Sequence, residues 1–209
     1  NFNASWSQKI KLSVSYHISE MASTTAKLIL VGTSSVGKTS IVNKIVSGEF
    51  NPISTPTLSS QYSHYSFDYD GTKFSFQIWD TAGDEKFRSI VPMFYRDSKA
   101  AFIVFALDSL ESFKEVDYYY STLTNFEKIE DIAVFIVGNK LDLVNNRMVS
   151  YEQGEEYAKT KNATYFEVSA KNGNGIVELF NSAAKEVLEK GKVTIISALE
   201  ESKDKKCSC

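Results

Sequence analysis

The run Gly32-Thr33-Ser34-Ser35-Val36-Gly37-Lys38-Thr39 constrains this chain more than any other feature. It directly follows the apolar stretch Leu28-Ile29-Leu30-Val31 and opens onto Ser40-Ile41-Val42-Asn43-Lys44-Ile45-Val46, which reads as a helix. A strand, a glycine-bounded loop ending in Lys-Thr, and a helix together make a phosphate cradle. Gly32 and Gly37 let the backbone wrap an anion with no Cβ in the way. Successive N–H groups and the positive helix end then point at it. Residues Ser34, Ser35, Val36, Gly37 and Ser40 line such a cradle. Lys38 reaches the β- and γ-phosphates of a nucleotide, and the Thr39 hydroxyl is a hard ligand for Mg²⁺. A surface turn that happens to end in Lys-Thr is the plainer alternative, and the flanking strand and helix argue against it.

The rest of the chain alternates in the same way. Period-two runs at 62–69 and 73–79 are joined by Asp70-Gly71, a hairpin signal because both turn positions need positive φ. Strands at 100–106, 132–137 and 163–168 are separated by helices at 110–126 and 151–161, and a helix at 175–189 follows. Strands alternating with helices predict a mostly parallel six-stranded sheet with one antiparallel edge strand and helices on both faces. The 209 residues suit one domain. It is expected over 27–190, with an N-terminal extension at 1–26 and a tail at 191–209. The extension reads as an upstream-translation artefact preceding an initiator Met21, in preference to a flexible N-terminal arm. A net charge of -3 argues against a nucleic-acid partner. The two histidines, His17 and His64, form no metal-like cluster.

In open α/β sheets ligands bind beyond the carboxyl ends of the strands. The loop after 73–79 reads Asp80-Thr81-Ala82-Gly83, in which Asp80 can hold Mg²⁺ and the Gly83 N–H can meet a terminal phosphate. The loop after 132–137 reads Gly138-Asn139-Lys140-Leu141-Asp142. The Asp142 carboxylate can accept from the N1–H and amino group of guanine, a donor pair that adenine lacks. Asn139 is placed to brace that loop, and the Lys140 stem to lie along the base. In Ser169-Ala170-Lys171 the Ala170 N–H is placed to donate to the guanine carbonyl.

This ordered set of motifs, GTSSVGKT, DTAG, NKLD and SAK, resembles the Ras superfamily of small GTP-binding proteins over about residues 27–189. Trp79 before DTAG, the Phe94-Tyr95-Arg96 segment and the terminal Cys207-Ser208-Cys209 resemble its Rab branch. The resemblance implies a P-loop GTPase fold and a GTP/GDP switch in vesicle trafficking. It also implies Phe50 edge-on against the guanine, and Thr57 contacting both Mg²⁺ and the γ-phosphate. Effectors, an exchange factor, a GAP, a Rab escort protein and a GDP dissociation inhibitor are the implied partners of a monomer. Residues 51–60 and 83–96 are poorly patterned, as segments ordered only by a γ-phosphate are expected to be. Phe87, Phe94, Tyr95 and Trp79 are candidates for the partner surface, with burial in the core as the alternative for each of them.

Asp84 departs from the pattern, since most relatives carry Gln there to orient the attacking water. A carboxylate has no N–H to donate, is one methylene shorter and adds charge beside an anionic phosphate. Slow intrinsic hydrolysis is expected, and an essentially non-hydrolysing GTP-dependent membrane recruiter is the alternative. An ATP-using kinase is disfavoured by residues 139–142. Ser59 and Ser60 replace a Gly common in Rabs, and Asp97 replaces another.

Residues 191–206 lose periodicity and read as a flexible linker. Beyond them the resemblance implies geranylgeranylation of Cys207 and Cys209, placing the protein on the cytoplasmic face of an endomembrane. Two chains anchor stably where one is marginal. Lys203, Lys205 and Lys206 are offset by Glu200, Glu201 and Asp204, so charge adds little. The expected outcome for Cys207→Ser/Cys209→Ser is transfer from the membrane to the soluble fraction of expressing cells, checked by fractionation.

Overall fold

The computed structural model describes residues 22–53, 57, 60–83, 92–191 and 194–197. Strand β1 (Ala22–Val31) leads through the glycine-bounded loop into α1 (Lys38–Ser47). Next come β2 (Gln61–Tyr69) and β3 (Thr72–Asp80), joined by Asp70 and Gly71 at φ 49° and 75°, the left-handed pair expected of this turn. A short helix α2 (Pro92–Tyr95) precedes β4 (Ala100–Ala106). Helices α3 (Leu110–Lys114) and α4 (Val116–Phe126) follow, then β5 (Ala133–Asn139), α5 (Tyr151–Thr160), β6 (Thr164–Glu167), α6 (Ile176–Glu189) and β7 (Thr194–Ser197).

Six strands lie in the order β2-β3-β1-β4-β5-β6, with β2 antiparallel at one edge and the rest parallel. The chain turns to one side of β1 for β3 and to the other for β4. The loop after β1 therefore sits at the switch point where such sheets bind ligands. The seventh strand was not expected. β4 pairs only with the second half of β1, from Leu28 onward, which leaves the edge of residues 22–25 open. β7 fills it in antiparallel register, Ala22 opposite Ser197 and Thr25 opposite Thr194.

Two boundaries differ from expectation for physical reasons. Residues 22–26, assigned to an N-terminal extension, form the first half of β1, because Ser23 to Ala26 pair with Lys73 to Phe76 on the neighbouring strand. The expected helix at 110–126 is interrupted at Glu115, where ψ flattens to -13° between α3 and α4.

Strand alternation divides the core. Leu28, Leu30, Phe76, Phe102, Val104 and Phe135 face α1 and α6, while Ile29, Val31, Ile103, Phe105 and Ile136 face the side covered by α4 and α5. β4 and β5 are buried at every position, as parallel strands covered on both faces must be. Ser150 caps α5 in a full capping box with Gln153. No helix among the described residues is long and apolar enough to cross a membrane. Phe180 centres the first core, with ring centroids 5.3 Å from Phe102, 5.7 Å from Tyr65 and 5.9 Å from Phe76. Phe180→Ala is expected to cost about 3–5 kcal/mol of stability, read by chemical denaturation.

Candidate functional site

All the loops singled out in the sequence and described here meet at the carboxyl end of the sheet. Gly32 at φ 143° brings the loop onto β4, where a Cβ would stand 2.1 Å from the Val104 carbonyl oxygen. Gly37 at φ 94° starts α1 with no side-chain cap, so the first N–H groups of that helix face the cradle. Lys38 is buried, and its ammonium donates to the carbonyls of Gly32 at 2.7 Å and Thr33 at 2.8 Å. Burial lowers its pKa to about 8, an effect the negative charge of Asp80 opposes. Gly83 lies hard against it. A Cβ there would come within 2.5 Å of the ammonium and 2.6 Å of the Thr33 carbonyl oxygen.

Three hard oxygens converge beside Lys38. The Thr39 hydroxyl donates to Asp80 Oδ2 at 2.5 Å and lies 2.8 Å from the Thr57 hydroxyl. Asp80 ends β3 and is buried, and burial raises its pKa against the opposing effects of Thr39 and Lys38. Its other oxygen, Oδ1, is buried and has no hydrogen-bond partner. A buried, unpaired carboxylate oxygen next to two hydroxyls is a donor set suited to a small hard dication such as Mg²⁺.

The second half of the site is a cleft of about 340 Å³ lined by residues that include Phe50, Asn139, Lys140, Asp142, Ala170 and Lys171. Ser35, Gly37 and Ser40 form its phosphate-loop end. Asp142 is held from two sides, accepting from the Ser169 hydroxyl at 2.6 Å and lying 3.7 Å from the Lys171 ammonium. Asn139 is the last residue of β5 and is buried. Its amide donates to the Val36 carbonyl at 2.9 Å, and its carbonyl accepts from the Ala170 N–H at 3.1 Å. The Ala170 donor, expected to serve the base, is thus used here to lock one loop to another. Lys140 adopts a left-handed φ of 69°, and its ammonium pairs with Asp108 at 3.1 Å.

Asp108 escaped the sequence reading. Its position just past β4 was the available signal, because Asp80 and Asn139 also stand at strand ends. Among the aromatic candidates, Tyr95 is fully buried and belongs to the core rather than to a partner surface. Trp79 is half-buried, with its ring 5.6 Å from Tyr62 and 5.5 Å from Phe94. Asp84, Phe87, Cys207 and Cys209 lie outside the described residues.

A model of the Ras family matches residues 27–189, which contain every loop of this site. The chain is a Rab-type member of the Ras family. The GTP-binding protein YPT53 of Saccharomyces cerevisiae is 35% identical to it over 178 residues, covering 82% of this chain and 80% of that protein. The Ras-related protein SEC4 of Candida albicans is 35% identical over 164 residues, covering 78% of each. Ras-family proteins are GTPases, as this Rab-type chain is, and they bind GTP or GDP with Mg²⁺.

Asn139→Ala leaves two buried backbone groups without partners, at about 1–3 kcal/mol each. The expected result in this GTPase is a loss of GDP affinity of about ten-fold or more. Titration with a fluorescent GDP analogue checks it, alongside a thermal melt.

Proposed function

We propose that this chain is a GTP/GDP-controlled switch that recruits effectors to a membrane in vesicle trafficking and that hydrolyses GTP slowly on its own. The observation that carries the reading is the meeting of Thr39, Thr57 and Asp80 around one unpaired buried oxygen, beside Lys38 and Gly83. Thr39, Thr57 and Asp80 are the residues that would hold Mg²⁺, which when bound neutralises charge on the β- and γ-phosphates. Lys38 and the N–H groups of residues 34–40 bind the phosphates. The backbones of Thr57 and Gly83 then sense whether a γ-phosphate is there to complete their contacts, and they order the segments they belong to accordingly.

The base end reads guanine. Asp142, held by Ser169 and Lys171, accepts from N1–H and the amino group, while Phe50 and the Lys140 stem flank the ring. Adenine offers that half-buried carboxylate no such donor pair, which is how the contact discriminates. Tyr62 and Met93 are exposed beside Trp79 and Phe94, which supports an apolar partner surface in the GTP form. Lipid on Cys207 and Cys209 holds the switch on the cytoplasmic face of an endomembrane. An exchange factor, a GAP, a Rab escort protein and a GDP dissociation inhibitor govern its cycle.

Asp84 favours a second reading, a recruiter that barely hydrolyses. Single-turnover hydrolysis of GTP with Mg²⁺ separates the two. Slow turnover is expected for the protein, and Asp84→Gln is expected to accelerate it roughly ten-fold or more. An unchanged rate sinks the role given to Asp84. ATP displacing bound GDP as readily as GTP does would overturn the guanine assignment.

A further inference from the structure

Outside the residues that face the nucleotide, one half-buried polar cluster is built with unusual care. Arg147 follows the 3-10 turn Val144–Asn146, and Glu167 is the last residue of β6. The guanidinium grips the carboxylate with both prongs, Nη1 to Oε2 at 3.0 Å and Nη2 to Oε1, while its Nε donates to the Val149 carbonyl at 2.7 Å. The Tyr165 hydroxyl donates to the same Oε1 at 2.8 Å. The Glu167 side chain is only 10% exposed. Gly154 makes room for this arrangement. A Cβ there would lie 2.2 Å from the Tyr165 ring, which accounts for a glycine inside α5, where it is otherwise unfavourable.

The cluster closes a ring with the two base loops. Five residues before Arg147 stands Asp142, and two residues after Glu167 stands Ser169, whose hydroxyl holds Asp142 at 2.6 Å. Between them the Val168 N–H donates to the Gly138 carbonyl at 2.8 Å, and the Leu141 N–H donates to the Val168 carbonyl at 3.1 Å. The near end of the ring touches the base cleft, and the far end is the Arg147–Glu167 fork. A bidentate pair fixes direction as well as distance. Stability alone does not call for it, since an ion pair whose guanidinium is 29% exposed adds only modestly to stability.

We infer that Arg147, Glu167 and Tyr165 are positioning residues that hold the Asp142 carboxylate in register with the base and so set selectivity for guanine. This rests on the guanine reading given above. Hypoxanthine is guanine without its amino group, so IDP offers Asp142 one donor where GDP offers two. Misplacing the carboxylate therefore penalises GDP more than IDP. General loosening of the fold weakens both alike, because their phosphates and Mg²⁺ are held elsewhere.

The test measures GDP and IDP binding by calorimetry on the full chain, with a melting temperature for each variant. Arg147→Met/Glu167→Leu replaces the pair with apolar side chains that are expected to fold. Its GDP-over-IDP preference is expected to fall about five-fold or more. Arg147→Lys keeps the charge but loses the fork, and is expected to fall between the double variant and the wild type. Folded variants that keep the wild-type preference overturn the inference alone. Equal losses for both nucleotides, tracking a lowered melting temperature, also overturn it. A wild-type protein that binds GDP and IDP alike overturns the guanine reading and this inference with it.

Discussion

A single buried amide, that of Asn139, joins the glycine-bounded loop after β1 to the loop after β6, across the two halves of the candidate site. Its nitrogen reaches the carbonyl of Val36 in the phosphate loop, and its oxygen takes the N–H of Ala170 in the loop after β6. Three loops from distant parts of the sequence are thereby fixed to one planar group, where an unmet donor or acceptor would be costly. Gly37 belongs to the same device. A Cβ on it would sit 2.3 Å from the Asn139 nitrogen, so the glycine that opens α1 also clears a seat for the asparagine.

The sheet makes this possible by ending its strands together. Asp80 closes β3 and Asn139 closes β5, each the last residue before its chain leaves the core. Buried polar groups gathered at one edge are poorly hydrated, and their titration behaviour reflects it. The Lys38 ammonium is destabilised by burial and so is the Asp80 carboxylate, yet each charge favours the other. A site with one cation and one anion already desolvated has its dipoles and charges in place before a nucleotide arrives.

Where a local rule decides conformation, the sequence was readable. Asp70-Gly71 named its turn, the uniformly apolar run of β4 named a buried strand to the residue, and the spacing of 32–39 named the cradle. Polar or distant pairings were harder. Ser23, Thr24 and Thr25 carry no apolar alternation, and pairing with β3 on one side and β7 on the other makes a strand of them. β7 depends on an edge that exists because β4 starts late. The Ala170 N–H had a competing acceptor 31 residues away, and Arg147 meets a carboxylate 20 residues on. Gly154 was the one visible trace of that second cluster, a helix breaker placed where a helix was plainly intended.

The pairing of β7 with β1 fixes where the chain's C-terminal segment leaves the sheet. β7 lies against the first residues of β1, at the end of the sheet away from the nucleotide loops. With that strand in place, ten peptide links separate Ser197 from Cys207, a span of at most about 35 Å when fully extended. The tail therefore departs from the end of the sheet opposite the glycine-bounded loop after β1, behind the site rather than across it.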